Sequence, residues 1–353
     1  MHEQLQRLRD EAQRLVDPDT WSYVGRGSGD ERTVSEAHDA WDRYRLRPRV
    51  LRDVSHVTTD LTLLGGVWRT PIGIAPTAFH AVLHPEGEVA TAAGAAAAGA
   101  PMVLSSRSTR RIEDVAAAID GPWWFQVYVM RHRDITGALI ERAAAAGATA
   151  MVLTADTPYV GHRARTPALA RGIPLTDDQA LINVHGHFPE GAADYWELID
   201  QRADLSLADI AWVADICELP VIVKGVLRGD EAVDCVDAGA AAVWVSNHGG
   251  RQLDRAISTA AALPEVVSAV GDSVPVLVDG GVRDGFDALT ALALGANAVM
   301  LGRPVMWALA AEGAAGVAAV LEELTAELRH AMGLAGATRL TDLDRSLVAA
   351  RPM

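Results

Sequence analysis

Eight short apolar runs, the third of which contains Gln126 and Tyr128, recur along the chain at 72–75, 102–104, 124–129, 150–153, 221–223, 242–245, 276–278 and 298–301. Each ends in a polar or glycine-rich turn, and each is followed by a helical pattern, as at 86–98. A strand with one wet face alternates in polarity, whereas a run that is apolar throughout reads as a parallel strand buried on both faces. Eight strand–helix units are the number that closes a barrel, so the pattern predicts an α/β fold, a (β/α)8 TIM barrel spanning about 71–320. A doubly wound open sheet is the competing arrangement, and it more often begins with a GxGxxG turn. Here the turns after the first two runs read PTAF and SSRS.

Three parts lie outside the repeat. Residues 1–70 precede the first strand as a helical extension, whose opening MHEQLQRLRDEAQRL sets Leu5, Leu8, Ala12 and Leu15 on one helical face. Residues 164–206 form a long polar loop after the fourth strand, a length typical of a lid. The tail after about 305 begins apolar and helical and then turns polar. No second core is visible, so the 353 residues are expected to form a single domain.

Composition narrows the function classes. A hydrophobic fraction of 50% with 22% charged residues argues against disorder. A net charge of −15 argues against nucleic acid or an anionic membrane as a general partner. The two cysteines, Cys217 and Cys235, sit in apolar helical patterns and read as buried free thiols. The charged N-terminus has no signal-peptide core and no later segment reads as a membrane span, which predicts a cytoplasmic location. Lys224 is the only lysine in an arginine-rich chain, at the end of the fifth run. A compact ammonium there does what a guanidinium does not.

In this fold the active site lies at the C-terminal ends of the strands. Those ends collect Thr77, Ser105, Gln126, Tyr128, Thr154, Asp156, Lys224, Ser246, His248, Arg251, Asp279, Arg283 and Arg303. The densest cluster is Ser-Asn-His-Gly-Gly-Arg-Gln-Leu-Asp at 246–254. Its glycines let the backbone approach a flat ligand, its histidine can act as a general base near neutral pH, and its arginine can grip a carboxylate. Asp279-Gly280-Gly281-Val282-Arg283 and Gly302-Arg303 follow strands seven and eight, the usual place for a phosphate site. With Lys224 and the strand edge of Gln126, Thr154 and Ser246, they suit a phosphorylated planar cofactor. FMN fits better than a nicotinamide dinucleotide, since no second nucleotide site is visible. The remaining histidines, His80 among them, read as surface or packing residues, and no metal site is expected.

These residues resemble the FMN-dependent 2-hydroxy acid oxidases and dehydrogenases, which include glycolate oxidase, lactate oxidase and mandelate dehydrogenase. The likeness runs from about Tyr23 to Arg303 and includes FQVY at 125–128, LTADTP with Gly161 and Arg163, PVIVKG at 220–225, SNHGGRQLD at 246–254 and LGRP at 301–304. It implies that His248 is the base, oriented by Asp156. Arg163 and Arg251 bind the substrate carboxylate, and Tyr23 and Tyr128 hydrogen-bond the substrate. Lys224 stabilises the reduced flavin. Pro76, Thr77, Ala78, Ser105, Gln126, Thr154 and Ser246 contact the flavin, and Asp279, Gly280, Gly281, Arg283, Gly302 and Arg303 its ribityl and phosphate. It further implies a small 2-hydroxy acid and oxygen as partners, hydrogen peroxide as a product and a homotetramer. Two departures flank the pocket: Arg107 stands where many members carry an aromatic, and ARTPALARG follows Arg163. The TAFH segment at 77–80, the small Ala78 and the altered lid point to an aromatic substrate such as mandelate or 4-hydroxymandelate; the alternatives are an oxidase of an aliphatic 2-hydroxy acid (lactate or glycolate) and a mandelate dehydrogenase using an acceptor other than oxygen.

Overall fold

The apolar runs become eight strands: β1 (Ile72–Ile74), β2 (Val103–Ser105), β3 (Trp124–Val127), β4 (Ala150–Thr154), β5 (Val221–Val226), β6 (Ala242–Val245), β7 (Val276–Asp279) and β8 (Ala298–Leu301). The computed structural model describes residues 3–162, 174–189 and 194–350. From β2 to β8 each strand pairs in parallel with the next, and β8 returns to β1 through Val299–Ile72 and Leu301–Ile74. A parallel bridge from Ile74 to Met102 closes the circle between β1 and β2. The result is the expected TIM barrel.

Side chains on a strand alternate between its faces, so each strand supplies two cores. One parity, with Val103, Trp124, Val152, Ile222, Trp244, Leu277 and Met300, fills the barrel interior. The other, with Leu104, Phe125, Met151, Val223, Val243, Val278 and Val299, packs under the surrounding helices. Both faces are dry, which is why the runs do not alternate in sequence.

The barrel is stoppered at its lower end by a hairpin, Leu61–Leu63 with Gly66–Trp68. Leu61, Leu63 and Trp68 join the interior cluster, and the Trp68 ring meets Trp124 edge-on at 5.5 Å and 82°. In the N-terminal extension, the helix Glu3–Leu15 buries Leu5, Leu8 and Ala12, while Leu15 is exposed. The next helix, Pro18–Gly25, is started by the Asp17 carboxylate, which accepts from the Asp19 and Thr20 amides, with proline in its first turn.

Several boundaries differ from the sequence expectation. β5 runs three residues beyond 223, through an irregularity between Lys224 and Val226, and β3 stops before Tyr128. The tail, expected to begin helical and then turn polar, stays helical well past its start: Arg303–Ala335 is one long element, broken only by a kink at Gly313, and is mostly buried. It is also, among the described residues, the one helix long and apolar enough to cross a membrane, a property it shares with core helices. The stretch expected as an open lid contains the short helices Asp177–Ala180 and Tyr195–Leu198 and a bridge from Gln201 to Met130. Cys235 is buried as expected, but Cys217 is only partly so, and both are free thiols.

Candidate active site

The interior parity continues past the apolar layers. Ser105, Gln126, Thr154, Lys224, Ser246 and Asp279 lie two residues beyond Val103, Trp124, Val152, Ile222, Trp244 and Leu277, so they form the last inward layer at the C-terminal rim. All six are buried, and they satisfy one another. The Gln126 carbonyl accepts from the Ser105 hydroxyl at 3.1 Å, and its amide donates to Thr154 Oγ1 at 2.9 Å. Lys224 Nζ donates to Ser246 Oγ at 3.0 Å, and Ser246 Oγ donates to Asp279 at 2.9 Å. Lys224 and Asp279 form an ion pair at 3.6 Å, with the ammonium 5.6 Å from the centre of the Trp244 ring.

Above this layer β6 leads into a tight turn in which His248, Gly249 and Gly250 all have positive φ, at 57°, 62° and 72°. A histidine rarely adopts that conformation, and here a bond from its own amide to Ser246 Oγ, 3.1 Å, helps hold it. An added side chain at Gly250 would strike Val34 at 2.6 Å, so the turn also seats the N-terminal extension. The His248 ring is fixed from both sides: Nδ1 lies 2.9 Å from Asp156 Oδ1, and Nε2 lies 3.4 Å from the Tyr128 hydroxyl. Burial lowers the His248 pKa below its ordinary value, against the opposing pull of the Asp156 charge. Burial works to raise Asp156, but the His248 and Lys224 charges outweigh it and leave the carboxyl below its usual range. The arrangement is therefore a neutral imidazole that donates Nδ1–H to a carboxylate and keeps Nε2 as an acceptor. Burial also raises the Tyr128 phenol, which stays protonated.

These groups border one cleft. Its walls include Tyr23, Tyr128, His248 and Arg251, together with Pro76, Thr77, Ala78, Ser105, Lys224, Asp279, Gly280, Gly281, Arg283, Gly302 and Arg303. Gln126, Thr154 and Ser246, expected to touch a cofactor, are not on the wall but behind it: Gln126 is bonded to Ser105 and Ser246 to Lys224, both on the wall, and Thr154 is bonded to Gln126. Asp156 is likewise behind His248, as an orienting residue should be. Arg163 lies outside the described residues. Arg251 and Arg303, expected to hold anions, also pin the N-terminal extension. Arg251 Nη1 donates to the carbonyls of Tyr23 at 2.6 Å and Arg26 at 3.1 Å, and Arg303 donates to Val24 O at 3.2 Å and Gly249 O at 2.9 Å.

The residues present fit FMN. Arg283 faces the cleft from a dry wall beside Trp307, its pKa brought down to about 10 by desolvation, and no carboxylate lies within 4.0 Å of it among the described residues. The phosphate of a bound FMN would supply the missing charge. Gly302 precedes the helix that starts at Arg303, and an added Cβ there would meet only Thr77 Cγ2, at 3.8 Å, so the helix N-terminus is open to an anion.

Sequence comparison agrees with this geometry. Residues 12–350 match the FMN-dependent dehydrogenase family. The chain belongs to that family. It is an FMN-dependent oxidoreductase. An L-lactate oxidase of Nostoc sp. is 43% identical over 93% of each chain. A peroxisomal (S)-2-hydroxy-acid oxidase of Oryza sativa subsp. japonica is 43% identical over 96% of this chain and 93% of that protein. Among solved structures, a mandelate oxidase is similar at 38% identity and a TM-score of 0.83, covering 97% of this chain and 96% of its own. An active chimera of (S)-mandelate dehydrogenase is similar at 35% identity and a TM-score of 0.90, covering 98% and 99%.

Some residues that shape this FMN-dependent site had no clear signal in the sequence. His80, read as a packing residue, positions Thr77: its Nε2 is 2.7 Å from Thr77 Oγ1, and its Nδ1 is 2.9 Å from Thr91 Oγ1. Gln252 joins the loops after β4 and β6, accepting from Gly161 N at 2.7 Å and donating to Thr157 Oγ1 at 2.7 Å. Asp254, the last residue of the 246–254 motif, caps residues 30–33 of the extension through the Asp30 and Thr33 amides.

Proposed function

We propose that this enzyme oxidises an (S)-2-hydroxy acid with an aromatic side chain, such as mandelate or 4-hydroxymandelate, to the 2-keto acid, with oxygen reduced to hydrogen peroxide. The observation that carries the chemistry is the His248–Asp156 pair at 2.9 Å at the rim of a cleft that also holds Arg251 and Tyr128. Arg251, with Arg163, binds the substrate carboxylate, and Tyr23 and Tyr128 donate to its oxygens. His248 Nε2 takes a proton from the substrate, and Asp156 stabilises the imidazolium that results. Bound FMN would supply the two-electron redox chemistry that links the α-carbon to oxygen. Two hydrogens leave the substrate and two appear in the peroxide, so the reaction balances. Lys224, Arg283, Arg303 and the glycines at 280, 281 and 302 hold the cofactor, and the ammonium of Lys224 favours negative charge on it. The aromatic preference is supported by the small Ala78 and the rings of Phe79 and Tyr23 on the cleft wall, and by similarity to the mandelate oxidase and dehydrogenase structures.

Oxygen uptake and peroxide release with (S)-mandelate, (S)-lactate and glycolate test the reading. Peroxide matching the keto acid one for one, with mandelate the best substrate, supports it. Turnover only with an artificial electron acceptor makes the enzyme a dehydrogenase, and preference for lactate or glycolate removes the aromatic assignment.

A further inference from the structure

Arg107 follows β2 and lines the cleft, yet it is only 7% exposed. Burial lowers its pKa, and the groups whose charge acts on it are Tyr128, Asp200 and Tyr23. Two of these are phenols. The third, Asp200, is engaged with Arg131 at 3.3 Å and makes no ion pair with Arg107. Among the described residues no carboxylate lies within 4.0 Å of the Arg107 guanidinium. Its Nη2 donates to the Ile199 carbonyl, and its Nε is buried without a hydrogen-bond partner. A buried, unmatched cation is expensive to keep unless something brings the opposite charge. The other cations on the cleft wall are already accounted for: Lys224 pairs with Asp279, Arg251 and Arg303 donate to backbone carbonyls, and in the proposed function Arg251 would take the substrate carboxylate while Arg283 and Arg303 would take the cofactor phosphate.

We propose that Arg107 reads a second anionic group on the side chain of the substrate, so that this enzyme prefers 2-hydroxy acids carrying a second carboxylate. The proposal rests on the 2-hydroxy acid reading of the same cleft. In it, Arg107 is a specificity residue: it binds the far end of the substrate and leaves the reacting carbon to His248. The bond to Ile199 fixes the guanidinium in place on the cleft wall, with no carboxylate beside it among the described residues.

The test uses the flavin-loaded enzyme and two matched pairs of substrates: (S)-mandelate with (S)-4-carboxymandelate, and (S)-2-hydroxypentanoate with (S)-2-hydroxyglutarate. The second-order rate constant for anaerobic flavin reduction is measured for each, in the wild type, R107K and R107M. The dianionic member of a pair is expected to react faster in the wild type by on the order of 10- to 100-fold, the range of a hydrogen bond to a charged group. R107K retains part of that ratio and R107M abolishes it. A purely structural role, pinning Ile199, would slow both members of a pair alike. Equal rates within both pairs in the wild type, or an unchanged ratio in R107M, overturn the proposal. Should R107M fail to fold, the wild-type ratio and R107K still decide. Charge preference in the aliphatic pair alone supports Arg107 and removes the aromatic assignment. If no 2-hydroxy acid bleaches the flavin, the underlying reading falls and the proposal with it.

Discussion

His248 and Asp156 follow different strands, β6 and β4, yet their side chains meet at 2.9 Å, with the imidazole left neutral by burial and held in one tautomer by the carboxylate. Removing the charge while keeping the shape should leave the fold intact and misplace the proton. Asp156→Asn is predicted to lower the rate of flavin reduction by ~10²–10⁴-fold, in the range of general-base effects. His248→Ala should lose at least as much. Stopped-flow reduction with the two variants checks both, and near-normal rates in either contradict the assignment.

The same pair sets the pH dependence. The active form of His248 is neutral, and its pKa in the folded enzyme lies below the ordinary value of 6.5. Reduction is therefore expected to be constant through neutral pH and to fall only below 6.5, as the ring takes up a proton. The Asp156 charge pulls that pKa upward. In Asp156→Asn the acid limb should move lower still, and a shift to higher pH would show that another group titrates.

Gly225 allows Asp156 to reach this position. Its φ is 112°, and an added Cβ would sit 2.5 Å from Asp156 Cβ. Gly225→Ala combines backbone strain with overpacking, worth about 1–3 kcal/mol, and pushes the carboxylate from His248. Thermal unfolding should register the first effect and the flavin-reduction rate the second. Loss of stability alone would separate Gly225 from the site.

Trp124 fills the barrel interior, is 0% exposed and abuts Trp68 of the lower hairpin. Trp124→Ala is expected to cost about 3–5 kcal/mol, seen as a lower denaturation midpoint. It leaves the rim residues unchanged, so molecules that remain folded should still bind flavin.

The barrel was legible because both strand faces are dry, so each strand announces itself as an unbroken apolar run. The rim was legible for a related reason: Lys224, Ser246 and Asp279 interrupt apolar runs at their ends, where polar residues are conspicuous. The hairpin 61–68 was not, because Leu61, Leu63 and Trp68 bury on one face of three-residue strands, too short for a period to emerge. The double duty of Arg251 and Arg303 was also hidden, since their partners are backbone carbonyls of the extension, which carry no sequence signal. His80 was passed over because a buried, hydrogen-bonded histidine and a surface one read alike. Arg107 stood out only as a departure from an aromatic, and the lack of a counter-charge beside it among the described residues emerged from the fold.

Whether this cleft removes two hydrogens from a 2-hydroxy acid is decided by anaerobic mixing of the flavin-loaded enzyme with (S)-mandelate. The yellow flavin is expected to bleach completely, with one keto acid formed per flavin, while His248→Ala stays yellow on the same timescale. A wild-type enzyme that binds flavin but stays yellow with mandelate, lactate, glycolate and 2-hydroxyglutarate alike would contradict it.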